Sequence, residues 1–306
     1  MSKYLDSLNN EVKEYFKILS NEFPEWLNDY IETPELQRIG KISMNCGTDY
    51  SKCFNLKYWY SNLDHSVGVA LIIWHFTKDK KQTIAGLLHD IATPVFKHCI
   101  DFMNGDALNQ ESTEEKTSEI IKNSKEIMAL LKRDNIKLEE VEDYKLYPIA
   151  DNDSPRLSAD RFEYNFSGGL VFYRIWELEE IKKVYDNITI VKNENNEEEL
   201  AFKDLKICQD YISKVSKLWP EWISDADRTV MQFLADICKS MKVKGYLSID
   251  DLYTLSEEEV ITNILNCKDK YISNSFKLFS NSDKVYVSDE LVKDKYCIKV
   301  KSKTRY

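Results

Sequence analysis

Glycine and proline are scarce in this sequence. The 306 residues include only eight glycines and six prolines, which is few for a β-sandwich, whose turns need both residue types. No segment matches GxGxxG or GxxxxGK[ST], the glycine-rich loops that cradle phosphate groups. Since 43% of the residues are hydrophobic and 12% are aromatic, the chain has enough apolar material for a large core. These features predict an ordered, mainly α-helical fold.

Paired cysteines and long apolar runs are also missing. The seven cysteines are odd in number and form no CxxC pair, which is typical of reduced thiols in a cytosol. The first residues, MSKYLDSLNNEVKEYFKIL, are charged and amphipathic and lack the apolar core of a signal peptide. The apolar run LIIWHF at 71–76 is too short to span a membrane. We therefore expect a cytoplasmic protein that has no membrane partner.

Positive charge is in deficit. The formal net charge is -10 at pH 7 and the pI is near 5.1. Such a chain has no general attraction for a phosphate backbone, so nucleic acid is not an expected partner. A small phosphorylated ligand is still compatible with this balance if lysine and arginine side chains offset the field locally.

Histidine is rare, and its placement is uneven. All four histidines lie between residues 65 and 98. The pair His89-Asp90 ends a segment whose apolar residues recur at i, i+3, i+4 and i+7, namely Ile84, Leu87, Leu88 and Ile91. This spacing predicts a buried helix that carries the pair at its end. Taken alone, such a pair is more typical of a capped helix end beside a core histidine whose ring nitrogens are hydrogen-bonded.

Two further residues change that interpretation. His65 lies at the start of a helical segment, and Asp160 lies in SADRFEY, which also has helical character. Ligand candidates that are 24 residues apart (65 to 89) and 70 residues apart (90 to 160) converge only if separate helices bring them together. We therefore predict a metal site in a helical bundle, formed by His65, His89, Asp90 and Asp160. Nitrogen and oxygen ligands suit Fe, Mn, Ni, Zn or Mg, and the absence of cysteine argues against structural zinc.

Four segments in order resemble the HD-domain metal-dependent phosphohydrolases. The ligand order H…HD…D is that of the family, and the flanking residues are most similar to its deoxynucleoside triphosphate triphosphohydrolase (dGTPase-like) branch. The similar segments are the entry helix TPELQRIGKIS (33–43), the first-histidine helix NLDHSVGVA (62–70), the HD helix with its turn LLHDIATPVFKH (87–98), and SADRFEY (158–164). One such motif has low specificity, but four in order, spread over residues 30 to 175, are highly specific.

The resemblance implies a catalytic dyad beyond the HD pair. The family places a histidine and, three residues later, an acid in this turn, and these positions hold His98 and Asp101. Residues at i and i+3 share a helix face, so the carboxylate can orient the ring and raise its basicity, as a general acid or base requires. The alternative is a partly exposed histidine beside a surface aspartate.

The same resemblance implies substrate contacts. Arg38, Lys97 and Arg161 would neutralise phosphate charge. Tyr164, one helical turn after Asp160, would touch the substrate. The alternatives are a surface charge for Arg38 and a core position for Tyr164.

By resemblance, the reaction converts a dNTP and water to a deoxynucleoside and triphosphate, with a divalent ion that polarises a phosphoryl oxygen and activates water. Three positions that contact the substrate in the family, or assist such a contact, differ in this sequence. Asn62 replaces a phosphate-binding arginine, Met44 replaces a glutamine that reads the sugar 3′-hydroxyl, and Gly168 replaces an aspartate that assists it. The alternative hypotheses are hydrolysis of another phosphorylated nucleotide (a phosphomonoester, pyrophosphate or cyclic phosphodiester) and a non-catalytic nucleotide-binding or assembly module.

The remaining patterns define the expected fold class, a mainly α HD-domain helical bundle with a small β-hairpin and a C-terminal α+β extension. We expect the HD core over residues 1–185 and the extension, packed on it, over 186–306. The apolar alternation of ITIVKNENNEEELAF (188–202) around an Asn-rich turn predicts the hairpin, and helices are predicted over 203–266. VYVSDE (285–290) and YCIKVKSKTRY (296–306) alternate like strands. The basic end of the latter suits a solvated edge strand. The alternatives are contacts with phosphates or with an adjacent subunit, so a homo-oligomer is one of the expected arrangements.

Overall fold

The computed structural model describes residues 3–106, 116–293 and 295–298. The chain forms two compact units, each built from non-contiguous segments. Unit 1 comprises Met1–Gly40, Tyr60–Ala92 and Glu115–Leu218, and unit 2 comprises Lys41–Trp59, Thr93–Glu114 and Trp219–Tyr306. The expected division into an HD core over residues 1–185 and an extension over residues 186–306 stays a prediction.

Unit 1 is helical with one small sheet. Its helices are α1 (Lys3–Ser7), α2 (Asn10–Leu19), α3 (Leu27–Ile31), α4 (Pro34–Ile39), α5 (Asn62–Thr77), α6 (Lys80–Leu88), α8 (Thr117–Asn123), α9 (Lys125–Arg133), α10 (Ala159–Ser167), α11 (Leu178–Tyr185) and α12 (Leu205–Val215). The strands β1 (Ile188–Lys192) and β2 (Glu198–Phe202) pair antiparallel, with Ile188 opposite Phe202. The mainly helical class and the β-hairpin are thus confirmed.

Helix α5 is the centre of unit 1. Every residue from Asn62 to Ile73 is buried, because apolar residues are spread over all sides of this helix and leave no face that favours water. Helices α6 and α10 pack against α5. The polar residues of these three helices therefore meet inside a core, where each needs a partner.

Unit 2 consists of α7 (Cys99–Asn104), α13 (Trp219–Trp222), α14 (Asp225–Val243), α15 (Asp251–Thr254), α16 (Glu257–Asn266) and α17 (Lys270–Asn281). Helix α14 packs against α7 and α17, and its apolar face includes the buried residues Phe233, Leu234 and Ile237. The helices predicted over 203–266 are confirmed.

The strand prediction near the carboxyl end is wrong for the residues that the structure describes. From Ser282 to Lys293 and over 295–298 the chain has neither helix nor strand. Tyr286 and Val287, in the predicted strand VYVSDE, are 81% and 78% exposed. Alternating apolar residues form a strand only where a partner strand accepts their backbone hydrogen bonds, and the described part of unit 2 contains no strand. Residues 299–306 of the second predicted strand lie outside the described part.

Within the described ranges, no helix combines the length and the apolarity that crossing a bilayer requires.

Candidate metal centre

His65 is positioned by the start of α5. The Ser61 hydroxyl accepts a hydrogen bond from the Asp64 backbone N–H at 3.1 Å, and Asp64 Oδ2 accepts one from the Ser61 N–H at 2.7 Å. This reciprocal capping box defines where the helix begins. His65 follows in the first turn, and its ring is directed into the core, where the residue is 2% exposed.

His89 and Asp90 lie at the end of α6, as the apolar spacing predicted. The helix ends at Leu88, and His89 occupies the C-cap position. The His89 Nδ1 atom lies 2.7 Å from the carbonyl oxygen of Gly86. A carbonyl oxygen can only accept a hydrogen bond, so His89 Nδ1 must carry the hydrogen. In the neutral ring, Nε2 then presents its lone pair.

Asp160 comes from the first turn of α10. The Ser158 hydroxyl caps this helix by accepting a hydrogen bond from the Arg161 N–H at 3.2 Å. In the preceding loop, the Ala150 carbonyl accepts one from the Asp160 N–H at 3.3 Å. The aspartate is therefore fixed by both the helix and the loop before it.

The three elements bring the predicted ligands together. His65 Nε2 lies 3.3 Å from His89 Nε2 and 3.2 Å from Asp160 Oδ1, and His89 Nε2 lies 3.9 Å from the same oxygen. One ligand atom from each of these residues lies within 4.8 Å of the others. Asp90 Oδ2 borders this group, at 3.9 Å from His65 Nε2 and 3.7 Å from His89 Nε2.

This arrangement of donors fits a divalent cation. Both imidazoles bind partners through Nδ1, so their Nε2 atoms face each other and a carboxylate oxygen across a small gap. Burial lowers the pKa of His65, but the Glu163 and Asp160 carboxylates outweigh burial and raise this pKa to about 10. Burial raises the pKa of Asp160, and the His65 and His89 rings outweigh it and hold that pKa below its ordinary value. The negative charge of these carboxylates, which favours a proton on His65, would also favour a bound metal ion in its place.

Glu163 is a residue of this site that the motif comparison did not single out. Its Oε2 lies 2.5 Å from His65 Nδ1, and the residue is fully buried. A carboxylate behind the ring of a metal-ligating histidine fixes the tautomer and the orientation of that ring. The signal was present in the sequence, because Glu163 lies three residues after Asp160 on the same face of a predicted helix.

The Glu163 carboxylate has a full set of hydrogen-bond donors. Oε1 accepts from the Tyr60 hydroxyl at 2.6 Å and from the Tyr15 hydroxyl at 3.3 Å, and Oε2 accepts from the Ser167 hydroxyl at 3.1 Å. Because a buried carboxylate is stable only when its oxygens are hydrogen-bonded, these contacts hold the carboxylate in one orientation. They link α2 and the start of α5 to the metal centre.

Three residues of unit 1 are predicted to contact the substrate: Arg38, Arg161 and Tyr164. Arg38 Nη2 donates to the Ile91 carbonyl at 3.0 Å, next to the HD pair. The Arg161 guanidinium binds within the loop before α10, where Nη1 donates to Asn152 Oδ1 at 2.7 Å and to the Arg156 carbonyl at 2.8 Å. These contacts make Arg161 an anchor of that loop. Tyr164 is half-buried one turn after Asp160.

The predicted dyad and Lys97 belong to unit 2. His98 Nδ1 lies 3.0 Å from Asp101 Oδ2; Asp101 is fully buried, whereas the His98 side chain is 41% exposed. The backbone of Phe96 and Lys97 is left-handed, with φ of 64° and 43°, a conformation that costs free energy for residues other than glycine. Lys97 is buried, and its Nζ lies 3.0 Å from the Met44 sulfur.

Known proteins that are similar to this chain include a metal-dependent phosphohydrolase. No model of a known protein family matches the chain. The chain is 22% identical over 210 residues to the metal-dependent phosphohydrolase cns2 of Cordyceps militaris, with 66% of this chain and 59% of cns2 covered. It is 28% identical over 139 residues to the uncharacterized protein YdhJ of Bacillus subtilis, with 45% of this chain and 41% of YdhJ covered. The chain thus spans less than two thirds of the length of these curated relatives.

Solved structures share the fold. A hypothetical protein from Aquifex aeolicus superposes with a TM-score of 0.62 at 18% identity and covers 84% of this chain and 71% of its own. A phosphohydrolase from Bacteroides thetaiotaomicron superposes with a TM-score of 0.57 at 14% identity and covers 83% and 73%. These likenesses show a helical fold that a phosphohydrolase also has. Support for the triphosphohydrolase branch comes from the sequence motifs alone.

Proposed function

We propose that this protein is a divalent-metal-dependent phosphohydrolase of the HD type. The observation that carries the proposal is the convergence of His65 Nε2, His89 Nε2 and Asp160 Oδ1 from three different helices. A buried carboxylate behind His65 and a carbonyl behind His89 leave both Nε2 atoms available to one ion. The name of the Cordyceps militaris relative supports the same class.

The residues have separate roles in this proposal. His65, His89, Asp90 and Asp160 would hold the ion, which when bound supplies a Lewis acid for a phosphoryl oxygen and lowers the pKa of water. His98, held through Nδ1 by Asp101, would move a proton at its Nε2. Arg38 and Lys97 would offset phosphate charge, and Arg161 would keep the loop before α10 in place.

We further propose that the substrate is a nucleotide and that a nucleoside triphosphate is cleaved at the α-phosphorus to release triphosphate. The support is the similarity of the four ordered motifs to the triphosphohydrolase branch. Binding of a negatively charged nucleotide needs positively charged side chains near the site, because the chain as a whole carries a net charge of -10.

Metal analysis of the purified protein tests the site. We expect about one tightly held divalent ion per chain, as a closed set of histidine and carboxylate ligands predicts. His89→Ala and Asp90→Ala should lose the ion together with activity. Full metal occupancy in either variant would contradict the assignment of that residue.

A product screen tests the reaction. Deoxynucleoside and ribonucleoside triphosphates, monophosphates and cyclic phosphodiesters are incubated with the Mn²⁺- or Mg²⁺-loaded protein, and orthophosphate, pyrophosphate and triphosphate are measured. Triphosphate release supports the specific proposal, whereas orthophosphate or pyrophosphate release supports another HD reaction. A metal-loaded protein that releases none of them would favour the non-catalytic binding module.

A further inference from the structure

Tyr144 touches two members of the metal centre at once. Its ring centroid lies 4.8 Å from that of His89, with 35° between the ring planes. Its hydroxyl donates to Asp160 Oδ2 at 3.4 Å. Asp160 therefore uses one oxygen, Oδ1, toward the histidines and the other, Oδ2, toward Tyr144.

The loop that carries Tyr144 is fixed locally. Tyr144 opens a single 3₁₀ turn, Tyr144–Leu146, which the Asp143 side chain caps by accepting from the Lys145 N–H at 2.9 Å. The Tyr147 hydroxyl donates to the Glu140 carbonyl at 2.7 Å and closes the loop from the other side. This turn packs against α6, the helix that His89 follows as the C-cap residue.

The same loop is joined to the start of α10. The Ala159 N–H donates to the Ile149 carbonyl at 2.8 Å, and the Asp160 N–H donates to the Ala150 carbonyl at 3.3 Å. These backbone bonds hold the end of the loop that carries Tyr144 beside the start of α10. A hydroxyl held in this way restricts the rotation of the Asp160 carboxylate about its χ2 torsion, which is otherwise soft.

We propose that Tyr144 is a positioning residue of the metal centre, an inference that rests on the proposed function. Its hydroxyl directs Asp160 Oδ1 toward the His65 and His89 Nε2 atoms, and its ring holds the His89 imidazole in the plane that presents Nε2. With Glu163 behind His65 and the Gly86 carbonyl behind His89, each of the three clustered ligands then has a supporting group. Groups of this kind determine metal affinity and ligand geometry.

The experiment separates the hydroxyl from the ring in the full chain. Tyr144→Phe removes only the hydroxyl, and Tyr144→Leu also removes the ring. Tyr147→Phe is the matched control, because Tyr147 lies in the same loop and its hydroxyl bonds to a backbone carbonyl outside the centre. The readouts are the dissociation constant for Mn²⁺, by chelator competition, and the visible absorption of bound Co²⁺, with thermal unfolding of the metal-free proteins measured in parallel.

We expect Tyr144→Phe to weaken Mn²⁺ binding about tenfold and to change the Co²⁺ spectrum, and Tyr144→Leu to weaken binding up to about a hundredfold, the usual range for such supporting groups. Tyr147→Phe should lower thermal stability and leave both metal readouts unchanged. A wild-type protein that binds neither ion would overturn the proposed function and this inference together. Normal wild-type binding with unchanged affinity and spectrum in both Tyr144 variants, or an equal loss in Tyr147→Phe, would overturn the role of Tyr144 alone.

Discussion

At the scale of single residues, the buried partner behind His65 determines what that imidazole can do. Glu163 faces the ring on one side and three hydroxyl groups on the other. A neutral imidazole that donates from Nδ1 to this carboxylate must present a lone pair at Nε2. Glu163 therefore selects the tautomer of His65 that a metal ion requires.

Glu163→Gln tests this role. The amide has nearly the size of the carboxylate, but it removes the negative charge and has one acceptor oxygen where the carboxylate has two. We expect the dissociation constant for Mn²⁺, measured by chelator competition, to rise about 10- to 100-fold. Ser167→Ala is the control, since it removes one donor to Oε2 and keeps the His65 contact. Unchanged Mn²⁺ binding in Glu163→Gln would show that Glu163 supports only the fold.

His98→Ala tests the proposed acid–base dyad. The His98 side chain is 41% exposed while its partner Asp101 is fully buried, so the ring can reach solvent-borne ligands and keep a fixed orientation. We expect the variant to retain its metal and to lose about 10²–10⁴-fold in turnover. Asp101→Asn should cause a smaller loss in the same direction, because the ring remains but its orientation and basicity weaken. Equal turnover of His98→Ala and wild type on the true substrate would make His98 structural.

At the scale of elements, α5 and α10 approach each other closely at Gly68. A Cβ atom at this position would lie 2.8 Å from Glu163 Oε1 and 2.7 Å from Glu163 Cγ. Such distances are shorter than any normal contact, so the absence of a side chain on α5 creates the space that Glu163 occupies. The packing of two helices and the support of the candidate ligand His65 therefore depend on the same glycine.

Gly68→Ala should consequently impair both properties. We expect destabilisation by about 1–3 kcal/mol, the usual effect of overpacking, measured by urea unfolding. Weaker Mn²⁺ binding should accompany it, because Glu163 must move away from His65.

Gly105→Ala separates these two effects. No atom of the described residues lies within 4 Å of a Cβ added there, but the φ of 86° is left-handed, and a side chain costs about 1–2 kcal/mol in that conformation. This variant should lose stability and bind Mn²⁺ normally. If Gly68→Ala also binds Mn²⁺ normally, the position of Glu163 tolerates the added methyl group.

At the scale of the whole molecule, stability should depend on pH through a buried acid of unit 2. Glu257 is fully buried and accepts a hydrogen bond from the Tyr50 hydroxyl at 2.9 Å. Burial, followed by the negative charge of Asp49, raises the pKa of Glu257 well above its ordinary value. The folded protein therefore binds this proton more tightly than the unfolded chain does. The resulting stabilisation is complete below the unfolded pKa of about 4.3 and is lost as the pH rises through the folded pKa.

Glu257→Gln should remove this dependence. The glutamine oxygen can still accept from Tyr50, but it has no proton to lose. Urea unfolding at about pH 5 and about pH 8 should show that the wild type loses more stability on going to the higher pH than the variant does. Glu258→Gln is the matched control, since the neighbouring Glu258 is exposed; its profile should follow the wild type. Parallel wild-type and Glu257→Gln profiles would contradict a raised pKa of Glu257.

Much of the helical structure could be predicted because it depends on local patterns. The apolar spacing around His89 predicted a helix that ends at the pair, and the structure ends α6 at Leu88. The Asn-rich turn at 193–196 predicted the hairpin, which forms. VYVSDE has the same local alternation without forming a strand, since pairing depends on a partner that no local pattern supplies.

The candidate site also has a part that the sequence predicts and a part that depends on tertiary contacts. The sequence by itself determined the candidate metal ligands, His65, His89, Asp90 and Asp160, because residue chemistry and motif order are properties of the chain. Only the tertiary structure decided that Glu163 and Tyr144 support these ligands and that Arg161 binds its own loop. Such contacts join residues that are distant along the chain or on different elements, so their distances follow from helix packing and are absent from any local pattern.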